Sequence, residues 1–265
     1  MSLFVYRSRR FNRLYGLSVF LYAVWFLVGL FVVGGGFETP FGPWADFTFI
    51  ALAALVLLLH FGGHSPGPSV AAIFLLFCVL SGAVESLGAV TGFPFGSYDY
   101  SDRFGPVLFG TLPLAIPLAW WVIVWPIHCV VHSALTGKGG VVWVPVATAC
   151  GAVWADLIIE PAATLVRGYW TWEGAGIYYG VPLANFFGWF ATAFVLSLLA
   201  QIFLPHAPFK REELRVPLFV LATTLFTFLL VSVVHGKWAV VAVAFAFFAV
   251  LWRVARLARS SSLRQ

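Results

Sequence analysis

Eight runs of apolar residues, each about as long as a bilayer is thick, govern what this chain can fold into. They cover 15–35, 44–62, 69–90, 108–133, 141–164, 183–204, 215–234 and 237–257. A spanning helix needs about 20 such residues. Hydrocarbon offers the backbone no hydrogen-bond partner, so only helices and closed barrels cross it. The runs are continuous rather than alternating with period two, which is not the barrel pattern. Only 9% of the 265 residues are charged and mean hydropathy is +0.97, whereas soluble domains carry about 25% charged residues. The expected fold is all-α: a polytopic membrane helical bundle of about eight spans, forming a single integral membrane domain over 1–265. Only His235, Gly236 and Lys237 separate the last two spans, which predicts a tight helical hairpin. The second span is short enough to tilt or re-enter, and a seven-span variant would place the termini on opposite sides.

Charge sets the expected orientation. With the N-terminus inside, Arg7, Arg9, Arg10, Arg13, Lys138, Lys210, Arg211, Arg215, Arg253, Arg256, Arg259 and Arg264 are cytoplasmic. Only Arg103, Arg167 and Lys237 are then outside. That asymmetry follows the positive-inside rule and predicts both termini cytoplasmic, in a multi-pass protein of the cell (cytoplasmic) membrane. It explains a pI of about 9.3 through the anionic leaflet, with no nucleic-acid partner. The apolar run after the basic N-terminus, Tyr15 to Val33, is too long for a signal h-region and reads as a retained first span.

Three carboxylates interrupt this apolar sequence. Glu85 lies in the third run; Asp156 and Glu160 lie four apart in the fifth. An acid at a helix centre costs about 2.5–3.5 kcal/mol on insertion scales, so three of them point to proton chemistry or proton movement. At i and i+4, Asp156 and Glu160 share one helix face, roughly 6 Å apart along the axis. Pro161 follows them and weakens the local helix ladder. The third and fifth spans run in the same direction, which brings all three acids to similar depth near the outer ends. That convergence did not enter the choice of topology, and it predicts one site. Away from water, and beside like charge, a carboxyl holds its proton. At least one of the three is expected protonated at neutral pH, able to protonate an alkene or pass a proton along a path. The plainer alternative is that they bond Tyr, Trp, Ser or each other and pin helices together.

Other residues add to the picture. Two loops are long and rich in Gly, Pro and aromatics, 91–106 and 167–182. Of 28 Phe, 12 Trp and 8 Tyr, most suit lipid contact and packing. Trp154, Trp120, Trp121, Tyr98, Tyr100, Tyr169, Trp170, Trp172 and Trp189 are placed to line a site beside the acids. Their faces stabilise cations without attacking them. Asn185, at the start of the sixth span, stands at the same level and is suited to hold a water or to cap a helix. Glu38, Asp46, Asp99 and Asp102 read as solvated loop charges, with Asp99 and Asp102 inside the first long loop and so within reach of the site. His60 and His64, and His128 and His132, are i,i+4 pairs of the kind that hold iron in membrane hydroxylases. Such sites need about eight histidines, and this chain has six, none adjacent. No metal is expected, and these histidines read as interfacial hydrogen-bonding groups. Cys78, Cys129 and Cys150 have no paired spacing and read as small buried apolar residues, with no disulfide.

ESLGAVTGFPFGSYDY at 85–100, PLAW at 117–120, DLIIEP at 156–161, GYWTW at 168–172 and YYGVPLANFFGW at 178–189 resemble the carotenoid biosynthesis membrane protein family. That family includes the carotenoid 1,2-hydratases and bisanhydrobacterioruberin hydratase. The resemblance covers roughly 80–190; the first two and last two spans carry no matching motif. It implies water addition across the terminal C1=C2 double bond of an acyclic, lycopene-like carotenoid, giving a tertiary alcohol without redox cofactor or metal. Glu85 and Asp156 are then the expected acid and base, with Glu160 tuning them. An extended polyene is about as long as the hydrocarbon is thick, roughly 30 Å, so one end can sit at the acids while the chain lies in a lipid-facing groove. A lycopene-cyclase-like enzyme, which captures the same cation with an alkene, and a proton-coupled transporter are the alternatives. Transporters often carry internal repeats, and none is visible here.

Overall fold

The computed structural model describes residues 9–37, 41–63, 67–135, 140–174, 176–203 and 209–261. Arg7, Glu38, His64, Lys138 and Arg264, which entered the charge and histidine readings, lie outside the described residues. Among those described, eight helices are long and apolar enough to cross a membrane. They are α1 (Arg9–Gly34), α2 (Pro43–Gly62), α3 (Gly67–Thr91), α4 (Ala115–Leu135), α5 (Gly140–Ala162), α6 (Leu183–Phe203), α7 (Arg211–Val234) and α8 (Ala239–Ser261). The all-α polytopic bundle of eight spans is thus the observed architecture, and the second run forms a helix of full spanning length, 20 residues.

α4 is the axis of the bundle. It touches α2, α3, α5, α6, α7 and α8, and nearly all of its side chains are buried. Its indoles make this possible. Trp121 and Trp125 stack with ring centroids 4.9 Å apart, while Phe74 and Phe77 meet Trp121, and Phe77 and Phe61 meet Trp125, edge-to-face. Residues such as Phe31, Val79, Phe187 and Phe245 instead face outward and are exposed, as the lipid-facing side of a bundle requires.

The fourth span is shorter than the apolar run suggested. Residues 108–114 belong to a small hairpin in which β2 (Val107–Leu108) pairs with β3 (Leu112–Pro113). Phe109 and Gly110 take positive φ, 52° and 74°. A tight turn needs such angles and a helix cannot contain them. The cysteines also differ from expectation. All three are free, but only Cys129 is buried; Cys78 is half-buried and Cys150 is exposed on the apolar surface.

The two aromatic loops form structure together. β1 (Tyr98–Tyr100) pairs antiparallel with β4 (Trp170–Trp172), in the register Tyr98–Trp172 and Tyr100–Trp170. α5 leads into this ribbon. Past Pro161 it loosens into a π-helical turn, Ala163–Arg167, closed by Gly168 at φ 60° with the Tyr169 N–H bonded back to the Ala163 carbonyl.

Candidate active site

The ribbon lies against the ends of α3 and α5 that carry the acids. Strand side chains alternate, so Tyr98, Tyr100, Trp170 and Trp172 turn inward while Asp99 and Thr171 are exposed. On α3, Glu85 is buried and receives three donors. Tyr98 Oη donates to Oε2 at 2.9 Å, Tyr100 Oη to Oε2 at 2.7 Å and Trp120 Nε1 to Oε1 at 2.8 Å. Burial, and after it the charge of Glu85, push the Tyr98 and Tyr100 phenols above their ordinary value, so both remain donors. All three partners are able to donate to Glu85, and the indole can only donate, which suits an accepting carboxylate.

The other two acids share one partner. Asn185, at the start of α6, donates its amide Nδ2 to Asp156 Oδ2 at 2.7 Å and to Glu160 Oε1 at 3.2 Å. Trp172 Nε1 donates to Glu160 Oε2 at 3.1 Å. Asp156 is fully buried, and its Oδ1 has no hydrogen-bond partner among the described residues.

A cavity of about 50 Å³ lies between the two groups. Glu85 and Glu160 both reach it, with Asn185, Tyr98, Tyr100, Trp120, Trp170, Trp172 and Trp189. The Trp120 ring stacks on Trp189 at 4.2 Å. Such a space holds water or a small apolar end group, and it presents indole and phenol faces to any positive charge formed there.

Four residues expected to line the site do not line the cavity. Asp156 does not line the cavity; it stands behind Asn185. Trp154 points the other way, its indole donating to the Val243 carbonyl and its ring meeting Phe247 of α8. Trp154 precedes Asp156 by two positions, about 200° around a helix, so both cannot face one side. Trp121 is turned from its neighbour Trp120 into the Phe74–Phe77–Trp125 cluster. Tyr169 stacks on Phe104 at 4.1 Å outside the cavity, because it alternates with the inward Trp170. Asp99 and Asp102 are exposed, while Asp46 pairs with Arg167 at 4.0 Å rather than standing alone in solvent.

Several lining residues were not singled out by the sequence: Phe95 and Ile159 inside the matching motifs, Phe104 and Ile116 outside them, and Ile50, Thr224 and Phe228 from α2 and α7. Only the polar Thr223–Thr224 pair within an apolar run hinted at α7. His60 and His128 make hydrogen bonds between helices. His60 bonds Tyr15 Oη at 2.9 Å and the Glu213 carbonyl at 2.8 Å, and His128 bonds Ser197 Oγ at 2.8 Å. No group of three His, Cys, Asp or Glu suited to a metal ion occurs among the described residues.

Residues 45–251, which include the cavity walls on α2 and α7 as well as the acids, match the family model described as carotenoid biosynthesis protein. The chain belongs to the carotenoid biosynthesis protein family. One relative is the bisanhydrobacterioruberin hydratase of Haloarcula japonica, 28% identical over 130 residues. That match takes in 49% of this chain and 44% of the relative, so the chain spans less than half of that protein's length. No solved structure matches the chain.

Proposed function

We propose that this carotenoid biosynthesis protein is a hydratase, a hydro-lyase that adds water to the terminal C1=C2 double bond of an acyclic carotenoid. The observation that carries this reading is the meeting of Glu85 and Glu160 in one aromatic cavity, each held by donors from the loops. The similarity to a protein named bisanhydrobacterioruberin hydratase, in a chain of the carotenoid biosynthesis protein family, supports it.

In this reading Glu160 is the general acid. Two carboxyls bridged by one amide in a dry site cannot both carry charge, so the Asp156–Glu160 pair retains a proton, and Glu160 is the member facing the cavity. It delivers that proton to C2, and positive charge appears on tertiary C1. The faces of Trp120, Trp189 and Trp172 stabilise the cation, which they can do without forming a bond to it. Glu85, with three donors fixing it as a carboxylate, takes the proton of a water as its oxygen bonds to C1. The product is a tertiary alcohol, and the proton gained at Glu85 returns through solvent to the acid pair. Relative to the expectation from sequence, Glu160 and Asp156 exchange roles: Glu160 reacts and Asp156 tunes. No electron leaves or enters, so the reaction needs no redox partner. The positive-inside asymmetry supports cytoplasmic termini, which puts the acid site toward the outer face of the cell membrane.

Expression in bacteria that accumulate lycopene or another acyclic carotenoid, with mass analysis of the pigment, tests the reading. The expected product is heavier by one water per reacted end, with oxygen derived from labelled water. A pigment of unchanged mass with a ring at its end would make the protein a cyclase; oxygen from dioxygen would make it a hydroxylase.

A further inference from the structure

A hydratase that reacts in a dry aromatic cavity needs a controlled supply of water. Two further cavities answer this need. A large one, about 550 Å³, opens where α1 ends and α2 begins, and is lined by Asp46, Arg103, Arg167, Tyr169 and His235. A small one, about 20 Å³, lies beneath it. The small cavity shares Asp46, Arg167, Tyr169 and Val231 with the large one, and Ile50, Phe104 and Phe228 with the acid cavity. It is therefore the joint between the two.

Two helices record the same order independently. On α7, Thr224 lines the acid cavity, Phe228 both that cavity and the joint, Thr227 the joint alone, Val231 the joint and the mouth, and His235 just past the helix the mouth. These positions fall on one helix face over eleven residues, roughly 16 Å of rise. On α2 and the residue that caps its start, the order Ile50, Asp46, Gly42 repeats it. The joint also meets both conditions for holding a water. Its volume exceeds the roughly 10–15 Å³ that one water needs, and Asp46, Arg167, Tyr169 and Thr227 offer several polar partners. A polyene would find charge at the mouth, where desolvating Asp46 and two guanidiniums is costly.

We propose that these three cavities are the route by which water reaches the acid site, with the Asp46–Arg167 pair at its mouth and Phe104, Phe228 and Ile50 as its apolar throat. The proposal rests on the hydratase reading for its purpose, but its test does not need activity. The indole N–H groups of Trp120 and Trp172 are bonded to Glu85 and Glu160 at the inner end, and their hydrogen exchange reports water arriving there.

Exchange of these two indoles is measured by NMR on tryptophan-labelled protein in lipid nanodiscs, with Trp154, bonded to Val243 on the α8 side, as the internal control. Filling the joint with Thr227→Phe, or separately Val231→Phe, should slow exchange at Trp120 and Trp172 about tenfold and leave Trp154 unchanged. Thr227→Ala, which enlarges the joint and covers the case where a filled variant does not fold, should quicken it. Unchanged exchange at Trp120 and Trp172 in all folded variants would overturn the route. So would filled variants that only weaken carotenoid binding, because the cavities would then hold the polyene. A protein that hydrates no carotenoid yet shows the gated exchange would instead sink the hydratase reading and leave the route standing.

Discussion

Tyr98 and Trp172 face each other across the β1–β4 pair, ring centroids 5.1 Å apart, and each gives its proton donor to a different acid. Tyr98 reaches Glu85 on α3 and Trp172 reaches Glu160 on α5. The ribbon thus sets the position of one carboxyl against the other, and its register is part of the site. A slip of one residue would turn one strand over, bringing Asp99 or Thr171 inward and removing two donors or ring faces at once.

The donors to Glu85 should therefore matter to the reaction more than to the fold. Tyr98→Phe and Tyr100→Phe are each expected to lower kcat about tenfold, the equivalent of roughly 1.4 kcal/mol. Asp99→Asn and Thr171→Ala, on the outward side, should leave it unchanged. Pigment conversion by purified protein in nanodiscs measures all four.

Glu85→Gln and Glu160→Gln should each reduce turnover by about a hundredfold or more, the usual scale for a lost general acid or base. Asp156→Asn should cost less, about tenfold, because Asp156 acts only through Asn185 and Glu160. Protein level in the membrane is the control. Full turnover in all three variants would end the acid mechanism.

Gly188 and Gly88 both press on the Phe95 ring, which lines the acid cavity. A Cβ at Gly188 would overlap that ring, and one at Gly88 would stand 2.8 Å from it. Gly188→Ala is expected to destabilise the protein by about 1–3 kcal/mol and to lower turnover by displacing Phe95 into the cavity. Thermal unfolding followed beside pigment conversion separates the two effects.

His60 joins α1 to α7 through Tyr15 and the Glu213 carbonyl. His60→Ala should lower stability by about 1 kcal/mol, since it removes the donor to a half-buried carbonyl and the partner of Tyr15. The product should not change, with or without His128→Ala. An iron enzyme built on these histidines would instead lose all activity.

The phenols make a pH prediction. Burial and then Glu85 raise Tyr98 and Tyr100 above the ordinary 10.0, so their neutral, donating form persists as pH rises through that value. An alkaline absorbance titration should therefore give the same phenolate signal below pH of about 10 for the native protein and for the Tyr98→Phe, Tyr100→Phe double variant. A smaller signal in the double variant would show that these phenols ionise normally.

Hydrophobic run length is a local property, so eight helices were legible from the sequence, and so was the convergence of Glu85 with Asp156 and Glu160, which follows from counting residues along parallel spans. The ribbon left a trace as well, in the alternation of Tyr98 with Tyr100 and of Trp170 with Trp172. Helical angle alone separates Trp154 from Asp156. Other features had no local sign. Asp156 and Glu160 differ by only about 40° around α5, and which one meets the cavity depends on where α6 sets Asn185. The walls contributed by Ile50, Thr224 and Phe228, and the joint between the cavities, exist because α2 and α7 pack beside α4. Chain chemistry determined the spans, the buried acids and their common depth, since these depend on transfer from water to hydrocarbon residue by residue. Packing decided which carboxyl faces open space and where water can reach it, because empty volume belongs to the gaps between helices and to no residue alone.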